Sequence, residues 1–249
     1  MSNSAELLKG KKVVVIGGSS GIGFSVAAAA LANGATVVIS SSSDVRVASA
    51  VSRLGGDAGK SVSGSAVDVR DESKLFAFLD NVGVFDHLVW TAGENLALGY
   101  PDVDLSQLKG AFDIVFWAVA AAAKHIYEKK LIPAGGSITL TTGIVHQRPG
   151  KGWSVIAGRA GALVSFTRGL AVDLAPIRVN IISPGYVNTD VWAGMDPAAK
   201  EAMFKSISEK LLIKHIASPD EIAEAYIFAM KCSYFTGQMI DVDGGALLV

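Results

Sequence analysis

The segment Val13-Val14-Val15-Ile16-Gly17-Gly18-Ser19-Ser20-Gly21-Ile22-Gly23 joins a continuous apolar run to a glycine-rich turn, and an alanine-rich pattern follows from Ile22 to Asn33. Four β-branched residues in a row suit a strand buried on both faces. Gly34 is placed to end the helix that comes next. Between strand and helix, glycines let the chain turn tightly and bring backbone N–H groups close to a pyrophosphate, while the helix N-terminus adds partial positive charge. A strand before and a helix after separate this arrangement from an isolated glycine-rich turn.

The same alternation runs outward to the end of the chain. Strands are expected at Thr36–Ser40, Val62–Val67, His87–Thr91, Ser137–Thr142, Arg178–Ser183 and Met239–Val242. Helices are expected at Asp44–Leu54, Glu72–Asn81, Leu108–Leu131 and Val155–Leu174. Ser218-Pro219-Asp220-Glu221 is a capping box with proline at the first helical position, so a further helix runs from there to about Lys231. Strands alternating with helices mean βαβ units and a parallel sheet covered on both faces. No repeat, low-complexity stretch or proline-rich linker interrupts them, so residues 1–249 read as one α/β domain.

The chain has 249 residues, 22 Lys+Arg against 23 Asp+Glu, 50% hydrophobic residues and 27 glycines. That is too apolar for disorder, and a net charge of −1 leaves no electrostatic footprint for nucleic acid or an anionic membrane surface. Val13 to Ser43 lacks charge, but its glycines cut it into pieces shorter than the roughly 20 apolar residues a bilayer demands. The single cysteine, Cys232, forms no intramolecular disulfide, and no Cys/His cluster has metal-ligand spacing, so no metal is expected. A start without an apolar core before Val13 reads as no signal peptide, and a cytoplasmic protein is expected.

Gly17, Gly21 and Gly23 are spaced as Gly-x-x-x-Gly-x-Gly, and in this the chain resembles the short-chain dehydrogenase/reductase family. Asp68-Val69 looks like the family's adenine-contacting pair, Ala92-Gly93 like the end of its Asn-Asn-Ala-Gly motif, and Arg178-Val179-Asn180 to Pro184-Gly185 like its Arg-Val-Asn…Pro-Gly segment. Thr189 stands where the family's threonine holds the nicotinamide end. The resemblance implies a Rossmann-type, doubly wound sheet of seven parallel strands with helices on both faces, a nicotinamide dinucleotide held by Gly17, Ser19, Ser20, Gly21, Ile22, Gly23, Asp68, Val69, Ala92, Gly93, Pro184, Gly185, Val187 and Thr189, and assembly as a homodimer or homotetramer. Where NAD-binding members carry an acid after the second strand, this chain reads Ser40-Ser41-Ser42-Ser43. Hydroxyls of Ser41 and Ser42, open N–H groups and Arg46 suit a 2′-phosphate, so NADP(H) is expected over NAD(H).

The resemblance also implies a Tyr-x-x-x-Lys pair, a serine and an asparagine for proton transfer. Aligned on Gly136-Ser137-Ile138 and on Phe166 to Ala171, those positions hold Ile156, Ala160, Gly143 and Val115. Isoleucine and alanine donate no proton at any pH, so ketone reduction by hydride plus tyrosyl proton cannot run. Candidate pocket residues are Thr142, His146, Arg148, Trp153, Arg159 and Tyr186, with Gln147, Glu94, Asn95, Asn188, Asp190 and Trp192 in the same loops. His146 is the candidate proton donor, and Arg159 reaches the ribose or is a solvated or subunit-contact arginine. Trp153 and Trp192 offer flat walls for an aromatic or polycyclic small molecule. Trp117 is expected in the core or against a subunit. The expected function is NADPH-dependent hydride transfer to an iminium-like or otherwise activated acceptor; the alternatives are a cofactor-assisted isomerase or cyclase without net redox change, and a non-catalytic NADP(H)-binding protein.

Overall fold

The computed structural model describes residues 6–56, 61–93 and 96–249. Seven strands, β1 (Lys12–Ile16), β2 (Thr36–Ser41), β3 (Val62–Ala66), β4 (His87–Trp90), β5 (Ser137–Thr141), β6 (Arg178–Pro184) and β7 (Met239–Val242), form one sheet in the order β3-β2-β1-β4-β5-β6-β7. Every pairing is parallel. The helices are α1 (Gly21–Ala32), α2 (Asp44–Arg53), α3 (Glu72–Val82), α4 (Ala118–Lys129), α5 (Ser154–Asp173), α6 (Pro197–Lys210) and α7 (Pro219–Lys231).

The period-2 alternation of β1 divides its valines between two cores. Val14 and Ile16 pack with α3, α4 and α5 side chains such as Leu79, Val119 and Leu163, whereas Val13 and Val15 pack with Val26 of α1, Val47 of α2 and Ile222 of α7. A strand sandwiched in this way must be apolar throughout, which is why no polar residue interrupts Val13–Ile16. Strand order reverses between β1 and β4, so the loops leaving those two strands diverge and leave a crevice at their carboxyl ends.

Two expectations are corrected. The helix read over Leu108–Leu131 is broken: Leu105–Leu108 is a short 3₁₀ turn, Asp113–Trp117 is a π turn, and α4 begins only at Ala118. Trp117 N donates to Phe112 O at 3.1 Å, an i→i+5 bond, while Phe116 lies against Phe166 of α5 at 4.6 Å. Ring packing and the wider turn override the uniform apolar period. Trp117 is 62% exposed and so is not a core residue. Helix α6 was not expected, although Asp196 caps it by accepting from Ala199 N at 2.9 Å and Pro197 opens it; none of its residues is fully buried, and Phe204 and Ile207 are only partly covered, which leaves a weak apolar stripe. The capping box of α7 is present, with Ser218 N donating to Glu221 Oε2 at 2.7 Å. His125 meets Asp80 and His215 meets Glu221, each at 2.8 Å.

His87 illustrates what the buried sheet does to a titratable group. Its Nδ1 lies 2.9 Å from Ser137 Oγ, and burial pushes its pKa down from 6.5 to about 4. The unfolded chain takes up a proton near pH 6.5 and the folded chain does not. The stability this group contributes is therefore full above that value and is lost as pH falls towards 4, by roughly 3 kcal/mol in all. Thermal melts from pH 7 to 4.5 are expected to fall less steeply for His87→Asn than for the parent; parallel slopes would rule out this assignment.

Candidate functional site

The carboxyl ends of the strands open onto a cleft of about 540 Å³. Its narrow end is made by the turn after β1. Gly17 N and Gly18 N donate to Ser40 O at 2.8 and 3.1 Å, fixing the turn against β2, and Thr91 N and Thr91 Oγ1 donate to Ile16 O at 2.8 and 3.0 Å from β4. A Cβ at Gly17 would stand 2.5 Å from Ala92 N, and one at Gly23 would stand 2.4 Å from both Gly17 O and Thr91 Oγ1. Only glycine permits this approach, and Gly17 also has φ +90°. Ser20, at the N-cap of α1, is extended and makes no side-chain cap, and no acidic residue occupies the first turn. The leading N–H groups of α1 thus face the cleft without a side-chain acceptor, beside Ser19, Ser20, Gly21, Ile22 and Gly23 of the lining.

Ser41 and Ser42 line the cleft where β2 ends, and Arg46 comes from the first turn of α2, its Nη2 donating to Ser42 Oγ at 3.0 Å. Ser41 Oγ is buried and has no partner, a polar atom left for a ligand to satisfy. Asp68 and Val69 lie across from it. Arg70, which sequence reasoning missed, grips Asp68 through Nε and Nη2 at 2.9 and 2.8 Å and holds its carboxyl below the ordinary value. Ala92 and Gly93, then Pro184, Gly185, Val187 and Thr189, complete this half; Thr189 sits over Gly21. A glycine cradle, an uncapped helix start and an orphaned hydroxyl fit a dinucleotide phosphate chain.

The other half is apolar. Val115 from the π turn, Gly143 after β5, and Ile156 and Ala160 on one face of α5 all line it, joined by Ile114, Ile144 and Leu163, which the sequence did not single out. Thr142, Arg148, Trp153, Arg159, Tyr186 and Trp192 line it too. Among the described lining residues there is no lysine and no histidine, and the one phenol is Tyr186. Thr142 Oγ1 is turned to Ala160 O at 3.1 Å. Arg148 donates to Ala246 O of the C-terminal turn, and Trp192 Nε1 to Val187 O at 2.9 Å.

Four expectations about pocket residues change. His146 does not line the cleft: its Nδ1 faces Gly143 O at 2.9 Å, because the short 3₁₀ turn Ile144–His146 rotates the ring away. Arg159 is not solvated; it is buried, and its Nη1 donates to Ala111 O at 3.2 Å, a carbonyl just ahead of the π turn. Gln147 points to the Asp241 carboxylate at 3.0 Å and Asn188 is exposed outside the lining. Glu94 and Asn95 lie outside the described residues.

The comparisons agree with this geometry. The model of the family described as SDR-like rossmann domain matches residues 4–249. Short-chain dehydrogenase/reductase fsr5 of Gibberella fujikuroi is 34% identical, with 97% of this chain and 96% of the relative covered. A solved structure described as MalC Reductase/Diels-Alderase from Malbranchea aurantiaca superposes with TM-score 0.88 at 32% identity, covering 99% of this chain and all of that one. A small-chain dehydrogenase solved in complex with NADPH is 34% identical with TM-score 0.78 and covers 97% and 100%. From the first glycine turn to the last strand, the chain belongs to the short-chain dehydrogenase/reductase family.

Proposed function

We propose that this protein is an NADP(H)-dependent reductase whose acceptor needs no proton from the enzyme, an iminium-like cation or a comparably activated small molecule. The observation that carries the reading is the wall formed by Val115, Gly143, Ile156 and Ala160 in a cleft whose described lining holds no lysine or histidine. These are the positions at which the family's asparagine, serine, tyrosine and lysine are expected. When bound, the reduced dinucleotide supplies a hydride. Addition of hydride to C=N⁺ yields a neutral amine, so no oxyanion needs a donor and positioning becomes the protein's main task.

The residues divide accordingly. Gly17 to Gly23 hold the pyrophosphate, Asp68 and Val69 the adenine, and Pro184 to Thr189 the nicotinamide end. Ser41, Ser42 and Arg46 take the 2′-phosphate. Arg46→Ala is then expected to weaken NADPH about tenfold or more and leave NADH within about twofold, since one charge-assisted contact is lost. Equal losses for both, by fluorescence titration, would remove Arg46 from this role. Trp153, Tyr186 and Trp192 exclude water and wall in an aromatic or polycyclic substrate.

Stopped-flow absorbance tests the main reading: NADPH is consumed with a cyclic iminium salt and not with a simple ketone. The opposite pattern ends it. The likeness to the Malbranchea Reductase/Diels-Alderase supports a second reading in which the same apolar walls steer a ring closure. Product without cofactor oxidation, followed by mass spectrometry, would identify that case, and no product with any candidate would leave a nucleotide-binding protein.

The same proposal includes a cytoplasmic homodimer or homotetramer. Trp117, Tyr127 and Val172 are large apolar side chains exposed on α4, α5 and the preceding π turn, and pairing would cover them. Light scattering that gives the mass of one chain at micromolar concentration would exclude it.

A further inference from the structure

We propose that Asp190 selects the substrate by charge, its carboxylate pairing with a cationic nitrogen carried by a flat, aromatic-rich ligand. The inference rests on the reading above, that the acceptor is a cation, and names the residue that recognises it.

Two carboxylates line the cleft among the described residues, and they are not equivalent. Asp68, at the nucleotide end, is committed to Arg70 by two hydrogen bonds. Asp190, next after Thr189, makes no ion pair and no side-chain hydrogen bond with any described residue. Its place is nonetheless fixed. Asp190 opens the single 3₁₀ turn Asp190–Trp192, and its carbonyl accepts from Ala193 N at 2.9 Å. Trp192 anchors that turn through Val187 O and stands edge-on to Phe204 of α6, with ring centroids 6.0 Å apart at 87°.

Two arginines of the lining are held by backbone carbonyls, Arg148 by Ala246 O and Arg159 by Ala111 O. Trp153, Tyr186 and Trp192 line the same cleft as this carboxylate, and the π faces of their rings also attract a cation. A neutral polycycle would use the rings and leave the carboxylate in water. A cationic one satisfies both. Asp190 is solvent-exposed in the open cleft, where an ion pair is worth little, and gains from a ligand that covers it, so the expected discrimination is moderate.

The experiment measures binding, not turnover. The protein is saturated with 1,4,5,6-tetrahydro-NADP, whose ring is neutral and gives no hydride, and titrated calorimetrically at pH 8 with N-methylquinolinium and with quinoline, which is uncharged there. The parent is expected to bind the cation about tenfold more tightly, Asp190→Glu to keep most of that preference, and Asp190→Asn to reduce it to about twofold or less with affinity for the dinucleotide unchanged. Equal binding of the two probes by the parent overturns the proposal. So does a preference that survives in Asp190→Asn, which would assign charge recognition to the rings, or one lost equally in Asp190→Glu, which would assign the effect to shape. Failure of hydride transfer is read separately: NADPH left unoxidised by 2-methyl-3,4-dihydroisoquinolinium, with the Asp190-dependent preference intact, refutes the reductase and leaves the recognition site standing.

Discussion

Gly23→Ala is expected to weaken NADPH binding by about 100-fold or more and to lower stability by roughly 3 kcal/mol, the upper range for forcing an extra methyl into a packed site. The new Cβ would lie 2.4 Å from Gly17 O and 2.4 Å from Thr91 Oγ1. Neither can retreat easily. Gly17 is tied to Ser40 O by its own N–H, and Thr91 is held twice to Ile16 O. To admit the methyl, α1 must move off the turn, and its leading N–H groups then no longer converge on one anion. Gly17→Ala meets the same obstacle from the other side, 2.5 Å from Ala92 N, with the further cost of φ +90°. Gly10→Ala is the control: it shares a positive φ of +73° but has no atom within 4 Å of its Cβ, so it should cost about 1 kcal/mol and leave binding alone. Thermal melts and fluorescence titration of the three variants check this. A Gly23→Ala protein that binds NADPH within twofold of the parent would show that the turn is not a phosphate cradle.

That glycine turn was legible because its constraint is local: strand, tight turn and helix follow one another within 20 residues, and each leaves a composition mark. The same holds for the α7 capping box and for Val13–Ile16 and β4, which are buried on both faces because helices cover both. Legibility stopped where long-range packing decides. Leu108 to Leu131 has a uniform apolar period, yet Phe116 packs on Phe166, 50 positions away, and the backbone widens to a π turn to allow it. Trp117 consequently faces solvent. Helix α6 failed for the opposite reason, since none of its residues is fully buried and its clearest marks are Asp196 and Pro197.

The site divides along the same line. Every residue expected at the dinucleotide, from Gly17 to Thr189, lines the cleft, because backbone-dictated positions transfer with the motif. For the pocket candidates, side-chain direction depends on contacts that the sequence does not carry. A single 3₁₀ turn sends the His146 ring to Gly143 O, and Arg159 is buried with its guanidinium on the carbonyl of Ala111. Arg70 could have been found, since an arginine two residues after Asp68 is within reach of its carboxylate. Asp190 could not have been ranked from sequence, because its distinction is that no described side chain neutralises it.

Introducing an asparagine, a serine, a tyrosine and a lysine into the apolar wall gives the second large effect. The variant carrying Val115→Asn, Gly143→Ser, Ile156→Tyr and Ala160→Lys is expected to reduce a simple ketone such as cyclohexanone with NADPH at least about 100-fold faster than the parent, the lower end of what a positioned general acid contributes. The scaffold has room for the change. The nearest atom to a Cβ at Gly143 is Pro184 O at 3.7 Å, ordinary van der Waals contact, so the backbone accepts a side chain there. Ile156 and Ala160 are one helical turn apart on the face of α5 that lines the cleft, so a phenol at the first and an ammonium at the second would point the same way. Val115→Asn nearly conserves volume, and the π turn brings that position into the lining. Ketone reduction needs a proton at the developing alkoxide, which tyrosine supplies and isoleucine cannot, whereas an iminium acceptor needs none. The four substitutions should therefore leave the rate with a cyclic iminium within about tenfold while opening the ketone reaction, and that divergence is the diagnostic result. Ile156→Phe with the other three changes holds the ring and removes only the hydroxyl, so it must stay inactive on ketone. A variant that binds NADPH like the parent and still fails to reduce cyclohexanone would mean that this wall does not face the reacting carbon, and the account of the apolar cleft as a proton-free reductase site would go with it.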